Sequence, residues 1–450
     1  MFKKSDYHHL PKNKKGNDNY LDSSGSESDK HAKNKKPGFK FNIFRSKSNS
    51  SSPSKRRKIK KSKLIKTSDL SSSDSDSSES SSPGQNANLG YKTSTYSHRS
   101  VGISKAKSTP DIAKDALCRS DYDIHPLGLR NVGNTCFFNS VIQCIVRIPP
   151  LVNLFLSKRY KSNLNKRNRL SSGGEISNGF YDLLMRLSVN NPKDVRWIDP
   201  SKFRSVFVKF YSRFDGYDEQ DAQEFLLSLI DGLHEDMNSA RPSHLSGGEC
   251  DPWAIFTAQN VSPIYDLFRG KTESKISCSK CKHISIVKEG FIALSLPLPG
   301  HRFGKVGVKL EECLTIYCAD EVLDGSNKVM CEGCKKKTIS KKKTTIEYSG
   351  QFLILCLKRF AEKNGKLTKN DIKVSYPSVL RADVFSKDGS SYKLIGCVYH
   401  LGSLDGGHYT SSAIDQNSGR WFYFNDSRVT PITEADAHRD SAYILFYQKI

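Results

Sequence analysis

The chain has 450 residues, enough for two or three ordinary domains or for one large domain with a tail. Its net charge is +24, of which +15 falls in the first 120 residues, so the basic excess belongs mainly to one segment. The longest strongly apolar run, Phe352 to Leu357, has the length of a strand and excludes a membrane-spanning helix.

No apolar stretch follows Met1-Phe-Lys-Lys-Ser-Asp, so no secretory leader is expected. Residues 1–124 read as a tail dominated by Ser, Lys, Asn and Asp, a composition with too few core-forming side chains to fold. Within it, Ser54-Lys-Arg-Arg-Lys-Ile-Lys-Lys-Ser-Lys63 is the densest basic run. It suits nuclear import, with plain solvation or nucleic-acid or membrane contact as alternatives. The expectation is a cytoplasmic or nuclear protein. The Ser/Asp run Leu70 to Ser82 reads as an acidic, phosphorylatable linker.

Ordered structure is expected from residue 125 to 450. It opens with Gly128-Leu-Arg-Asn-Val-Gly-Asn-Thr-Cys-Phe-Phe-Asn139. Cys136 stands after a Gly/Asn-rich turn at the start of a helix whose Phe137, Val141, Cys144, Ile145 and Ile148 recur at helical spacing. Asn134 and Thr135 favour the N-cap. A helix start offers unbonded N–H groups and a positive dipole end, which stabilise a thiolate and make a nucleophile of the cysteine. Asn131 can aim its side-chain amide at a developing oxyanion. Further amphipathic helices are expected over Lys202 to Phe214 and Asp221 to Leu233.

From about Leu267 the pattern changes to strands: Lys271 to Ser277, His283 to Leu296, Lys343 to Tyr348, Gln351 to Phe360, Tyr392 to Leu401, Gly407 to Asp415, Arg420 to Asn425 and Ala442 to Gln448. Helices first and strands later imply an α+β fold. Twelve cysteines without a secretory context argue for metal ligands and a reactive thiol rather than disulfides. Cys278-Ser-Lys-Cys281 and Cys331-Glu-Gly-Cys334 supply four thiolates with no open position, so the expected cofactor is structural Zn2+. His283, Cys313 and Cys318 are spare, the last two as packed side chains.

The segment around Cys136 resembles the cysteine box of the ubiquitin-specific proteases, a papain-like family of deubiquitinating enzymes. Tyr399-His-Leu-Gly-Ser-Leu-Asp-Gly-Gly-His-Tyr-Thr410, with Trp421-Phe-Tyr-Phe-Asn-Asp-Ser-Arg428, resembles its histidine box. Gly216-Tyr-Asp-Glu-Gln-Asp-Ala-Gln-Glu-Phe225 resembles the segment that lines its channel for the ubiquitin tail, with Glu219 where a Gln is usual. The resemblance runs from about Gly128 to Ile450 and implies a hand-shaped papain-like fold: helical thumb, β palm and zinc-binding β fingers at about 267–350. It implies His408 as general base and Asn425 or Asp426 as the group that orients it, Asn425 being favoured. His400 is left as structural. Asp221 and Glu224 would pair with the arginine-bearing tail, although an acidic helix N-terminus explains them equally. Gly406 and Gly407 would allow close backbone approach. Leu357-Lys-Arg-Phe360 reads as sheet core with basic flanks.

The implied activity is hydrolysis of the isopeptide bond between the ubiquitin C-terminal glycine and a substrate lysine, through a thioester. The expected partners are ubiquitin and ubiquitinated proteins, without a membrane, and the expected state is a monomer. The alternatives are a non-catalytic ubiquitin-binding scaffold, a protease for another ubiquitin-like modifier, and, from the basic tail, a nucleic-acid binder.

Overall fold

The computed structural model describes residues 121–190, 192–240, 252–299, 307–363, 366–387, 389–403 and 406–450. The expectations for residues 1–120, including the runs at 55–63 and 70–82, lie outside the described residues.

Five helices frame the site: α1 (Cys136–Ile145), α2 (Pro149–Leu156), α3 (Glu175–Val189), α4 (Ser201–Phe210) and α5 (Ala222–Met237). The helix expected over 202–214 breaks at Tyr211, and Ser212–Phe214 forms a separate 3-10 turn. Asp221 is the N-cap of α5 rather than its first residue, and α5 runs on to Met237. Helix α2 was not anticipated, for a physical reason. All eight of its residues are buried, so it has no polar face and no periodic stripe. Among the described residues, no single helix is long and apolar enough to cross a membrane.

Phe137 and Phe138 of α1, Phe203 and Phe207 of α4, Phe214, and Phe225 of α5 interlock as one aromatic core. The Phe225 ring lies 4.6 Å from Phe138, 5.2 Å from Phe207, 5.7 Å from Phe214 and 5.8 Å from Phe137, between centroids. Edge-on and tilted rings at these distances gain more than their buried area alone.

The main strands, in chain order, are β1 (Gly270–Cys278), β2 (Ile284–Phe291), β3 (Ala293–Leu296), β4 (Glu321–Leu323), β5 (Ser340–Tyr348), β6 (Phe352–Leu357), β7 (Val379–Arg381), β8 (Ser391–Gly402), β9 (Gly407–Ile414), β10 (Trp421–Asn425), β11 (Arg428–Ile432) and β12 (Ala442–Lys449). A four-stranded antiparallel sheet has the order β2-β1-β5-β4. The larger sheet has the order β11-β10-β9-β8-β12-β6-β3, with β7 on β8; all its pairs are antiparallel except β3 with β6. The single strand expected over 283–296 is two: it breaks at Ile292 and hands the chain from one sheet to the other.

The β8–β9 hairpin sets His400 opposite Tyr409, Leu401 opposite His408 and Gly402 opposite Gly407. Helix α1 packs across β8, β9 and β10 on one side and against α5 on the other. All ten of its residues are buried.

Arg359 corrects the reading of basic flanks. It is fully buried, and its guanidinium donates to the carbonyls of Ala442 (2.7 Å), Asp440 (2.8 Å), Ile372 (2.9 Å) and Asn370 (3.0 Å), tying β12 to the loop after β6. A buried guanidinium is tolerable because its fixed fork of donors finds acceptors there.

Replacing Phe225 with Ala should lower the unfolding free energy by about 3–5 kcal/mol, because the surrounding rings cannot close the cavity. Denaturant midpoints measure this; a loss below about 1 kcal/mol would mean the core re-forms without that ring.

Candidate active site

Cys136 opens α1, and the turn before it is built from its own side chains. Gly133 and Asn134 have φ values of 107° and 48°, a left-handed region that Gly and Asn tolerate. A Cβ on Gly133 would also come within 2.3 Å of the Tyr217 ring. Asn131 Oδ1 accepts from the N–H groups of Gly133 (3.2 Å) and Thr135 (3.1 Å) and from the Thr135 hydroxyl (3.3 Å). The Thr135 hydroxyl in turn accepts the Val132 N–H at 3.0 Å. Thr135 therefore occupies the N-cap, one of the two residues expected there, with no side-chain hydrogen bond to the helix. The first amides of α1 are left to an incoming anion.

The thiol itself departs from expectation. Cys136 is 3% exposed, and burial pushes it up to about 11. The Tyr409 and Phe137 amides favour the thiolate, but Glu219 and Asp426 oppose it. In this geometry burial and two carboxylates outweigh the helix end, so at neutral pH the resting group is a thiol. The Tyr409 amide, one residue past His408, is aimed at the sulfur and brings β9 against the start of α1.

His408 Nε2 lies 2.8 Å from Asn425 Oδ1 and 3.9 Å from Asp426 Oδ2. Asn425, the last residue of β10, is thus the hydrogen-bond partner of the imidazole. Asp426 has another job. Its backbone turns through φ 48°, and its carbonyl accepts the Leu129 N–H at 2.9 Å. One carboxylate oxygen accepts from Asn131 Nδ2 (3.0 Å) and the other from Asn139 Nδ2 (2.8 Å). Asn139, buried on α1 three residues past Cys136, also donates to the carbonyls of Leu129 (3.2 Å) and Arg130 (3.3 Å). Sequence reasoning missed Asn139: it lies on the side of α1 opposite the apolar stripe, where a polar residue reads as solvent-facing, and the structure buries that side too.

Asp221 caps α5: its carboxylate accepts from the N–H groups of Gln223 (2.6 Å) and Glu224 (3.2 Å) and from the Tyr443 hydroxyl (2.7 Å). Burial raises its pKa while these donors lower it. Glu224, in the first turn, pairs with Arg213 at 3.4 Å. Both acidic side chains thus have structural partners, the second of the two readings made from sequence. Gly407 is needed for close approach, since a Cβ there would lie 2.1 Å from His400 Nε2; Gly406 has open space around it.

The sulfurs of Cys278, Cys281, Cys331 and Cys334 all lie within 4.8 Å of one another, with Cys281 and Cys331 3.5 Å apart. A tetrahedron of four thiolates around zinc has edges of about 3.8 Å, so the set could hold such a metal ion. The two knuckles are one turn used twice. Lys282 N–H donates to the Cys278 carbonyl (3.0 Å) and Lys335 N–H to the Cys331 carbonyl (2.8 Å), each lysine at positive φ. Gly333 lets them meet: a Cβ there would be 2.9 Å from His283. Cys313 is buried and Cys318 half-buried.

A family model described as ubiquitin carboxyl-terminal hydrolase matches residues 127–447. The chain belongs to the ubiquitin carboxyl-terminal hydrolase family. It is 33% identical over 352 residues to ubiquitin carboxyl-terminal hydrolase 21 of Rattus norvegicus, an alignment covering 72% of this chain and 61% of the relative. The chain therefore spans less than two thirds of that relative's length. It is 35% identical over 336 residues to ubiquitin carboxyl-terminal hydrolase 2 of Gallus gallus, covering 71% of this chain and 92% of the relative. Among solved structures it is similar to the SAGA Ubp8/Sgf11/Sus1/Sgf73 DUB module bound to ubiquitin aldehyde, at a TM-score of 0.58 and 27% identity over 76% of this chain and 73% of that one. In the terms of this family's hand-shaped fold, α1–α5 form the thumb, the larger sheet the palm and the four-stranded sheet the fingers.

Asn425, at the end of β10, and Asp426, just after it, separate cleanly by stability. Asp426→Ala removes the acceptor shared by Asn131 and the buried Asn139, leaving Asn139 only its longer bonds to the Leu129 and Arg130 carbonyls, and should cost about 1–3 kcal/mol. Asn425→Ala should cost less than about 1 kcal/mol, since its partner His408 is partly exposed. Paired denaturant curves check the order; equal costs would contradict the division of roles.

Proposed function

We propose that this chain is a deubiquitinating cysteine protease, cleaving the isopeptide bond between the ubiquitin C-terminal glycine and a substrate lysine. The observation that carries the reading is Cys136 at an uncapped helix start against β9, the strand on which Asn425 orients His408. The deubiquitinating module with ubiquitin aldehyde bound, to which the chain is similar, supports ubiquitin as the partner.

His408 takes the proton from Cys136, and the sulfur attacks the carbonyl carbon of the isopeptide bond. The carbonyl oxygen becomes an oxyanion held by the first amides of α1 and by Asn131 Nδ2, which among the described residues gives one hydrogen to Asp426 and has the other to offer. Collapse expels the lysine amine, which takes the proton from His408 and leaves the ubiquitin glycine as a thioester on Cys136. Water, deprotonated by His408, then releases the carboxylate and restores the thiol. Asn425 fixes the imidazole tautomer throughout. Asp221, Glu224, Gly406 and Gly407 line the approach of the tail.

Zinc is the ion that Cys278, Cys281, Cys331 and Cys334 would hold, where it would cross-link the finger tips without taking part in the reaction. The catalytic domain is assigned to residues 125–450, acting as a monomer in cytoplasm or nucleus, the basic run at 55–63 being the support for nuclear entry.

Cys136→Ala should abolish hydrolysis of ubiquitin 7-amido-4-methylcoumarin while ubiquitin binding persists. Undiminished turnover would place the nucleophile elsewhere. Binding without turnover in the wild type would favour a scaffold, and turnover only on another modifier's tail a different specificity. Cys331→Ser should reduce bound zinc and lower the melting temperature; wild-type protein without zinc on metal analysis would remove the metal from the account.

A further inference from the structure

Glu219 stands two residues before the α5 N-cap, in the turn that leaves Phe214, yet its contacts lie on β8 and β9 of the larger sheet. Its Oε2 accepts the Gly407 N–H at 3.2 Å, and its Oε1 lies 3.5 Å from His400 Nε2. Gly407 is locked between these groups, for a Cβ there would come within 2.1 Å of the imidazole and 3.0 Å of the carboxylate. One thumb side chain therefore fixes the point where β9 begins, immediately before His408.

The carboxylate lacks a cation. His400 is buried, and burial with nearby Lys369 holds its pKa down at about 4, so at neutral pH it carries no charge to offset Glu219. Among the described residues no Lys or Arg pairs with Glu219. A partly exposed carboxylate that has an amide and a neutral imidazole but no cation against it is an acceptor for a guanidinium. Around Cys136 the titratable groups are Glu219 from the thumb, Asp426 after β10, and His408 and the Tyr409 ring from β9. Asp426 is already held by Asn131 and Asn139. Glu219 is thus the charge that a ligand can take away. The family's usual residue here is Gln, which offers the same acceptor without the charge.

We propose that Glu219 is a positioning residue that latches the thumb to the start of β9 in the resting protein and is released by an arginine of the substrate tail. Seating the tail and relieving Cys136 of an opposing charge are then one event. The identity of the tail rests on the deubiquitinase reading above.

The test uses full-length protein, with Glu219→Gln, which keeps the acceptor and removes the charge, and Glu219→Ala, which removes both. Alkylation of Cys136 by iodoacetamide, resolved by peptide mass spectrometry, is followed against pH. Removing one nearby negative charge should move the Gln variant's profile about one pH unit toward acid, near ten-fold faster at a fixed pH on its rising limb. On ubiquitin 7-amido-4-methylcoumarin the Gln variant should keep kcat and raise KM, while the Ala variant should also lose kcat. Superimposed alkylation profiles for wild type and Gln variant would overturn the proposal, as would a Gln variant that loses kcat with KM unchanged. A wild type inert toward the ubiquitin substrate would overturn the deubiquitinase reading instead, and the alkylation profiles would still decide the role of Glu219.

Discussion

Helix α1 is buried along its whole length, and every group at the site is placed by what buries it. On the thumb side, Phe137 and Phe138 lock into the aromatic core around Phe225. On the palm side the helix lies across β8, β9 and β10. Dense packing leaves such a helix no freedom to slide or rotate, so the start of α1 stays where the strand carrying His408 begins. The Asp426 carboxylate closes the arrangement, joining the side-chain amide of Asn131 to the buried Asn139 of α1.

The same burial creates the site's main electrostatic tension. An uncapped helix start favours an anion, whereas a sulfur removed from water and flanked by Glu219 and Asp426 prefers to stay protonated. The second effect wins in the resting geometry. A protonated thiol resists stray oxidation and alkylation, because the thiolate is the reactive form. In the proposed reaction, activation depends on proton transfer to His408 and on what neutralises the carboxylates when substrate enters. In the proposed reaction, the Glu219 charge couples recognition of the tail to reactivity of the sulfur.

Much of this was legible in the sequence. The helix at Cys136, the strands of the palm and the two Cys-x-x-Cys turns follow from local periodicity and spacing, signals that neighbouring residues carry by themselves. The break at Ile292 was not legible, because it arises where one run is shared between two sheets. Nor was α2, whose burial on every side erases the stripe that betrays a helix. Arg359 read as a surface charge since nothing nearby in sequence announces its carbonyl acceptors, which lie 11 to 83 positions away. At the site, Asn425 and Asp426 were adjacent candidates for one role. Only the geometry separates the partner of His408 from the residue that holds Asn131 and Asn139. The thiol's raised pKa was missed because the dipole is a local property, whereas burial and the Glu219 charge come from distant parts of the chain.

The most direct test of the central claim, that this buried thiol at the α1 start is the nucleophile facing a ubiquitin tail, is reaction with ubiquitin carrying a thiol-reactive C-terminus. Mass spectrometry then locates the adduct. The account predicts one covalent ubiquitin, attached at Cys136, formed much faster than any adduct with the same reactive group lacking ubiquitin. An adduct on another cysteine, or no acceleration by ubiquitin, would contradict it.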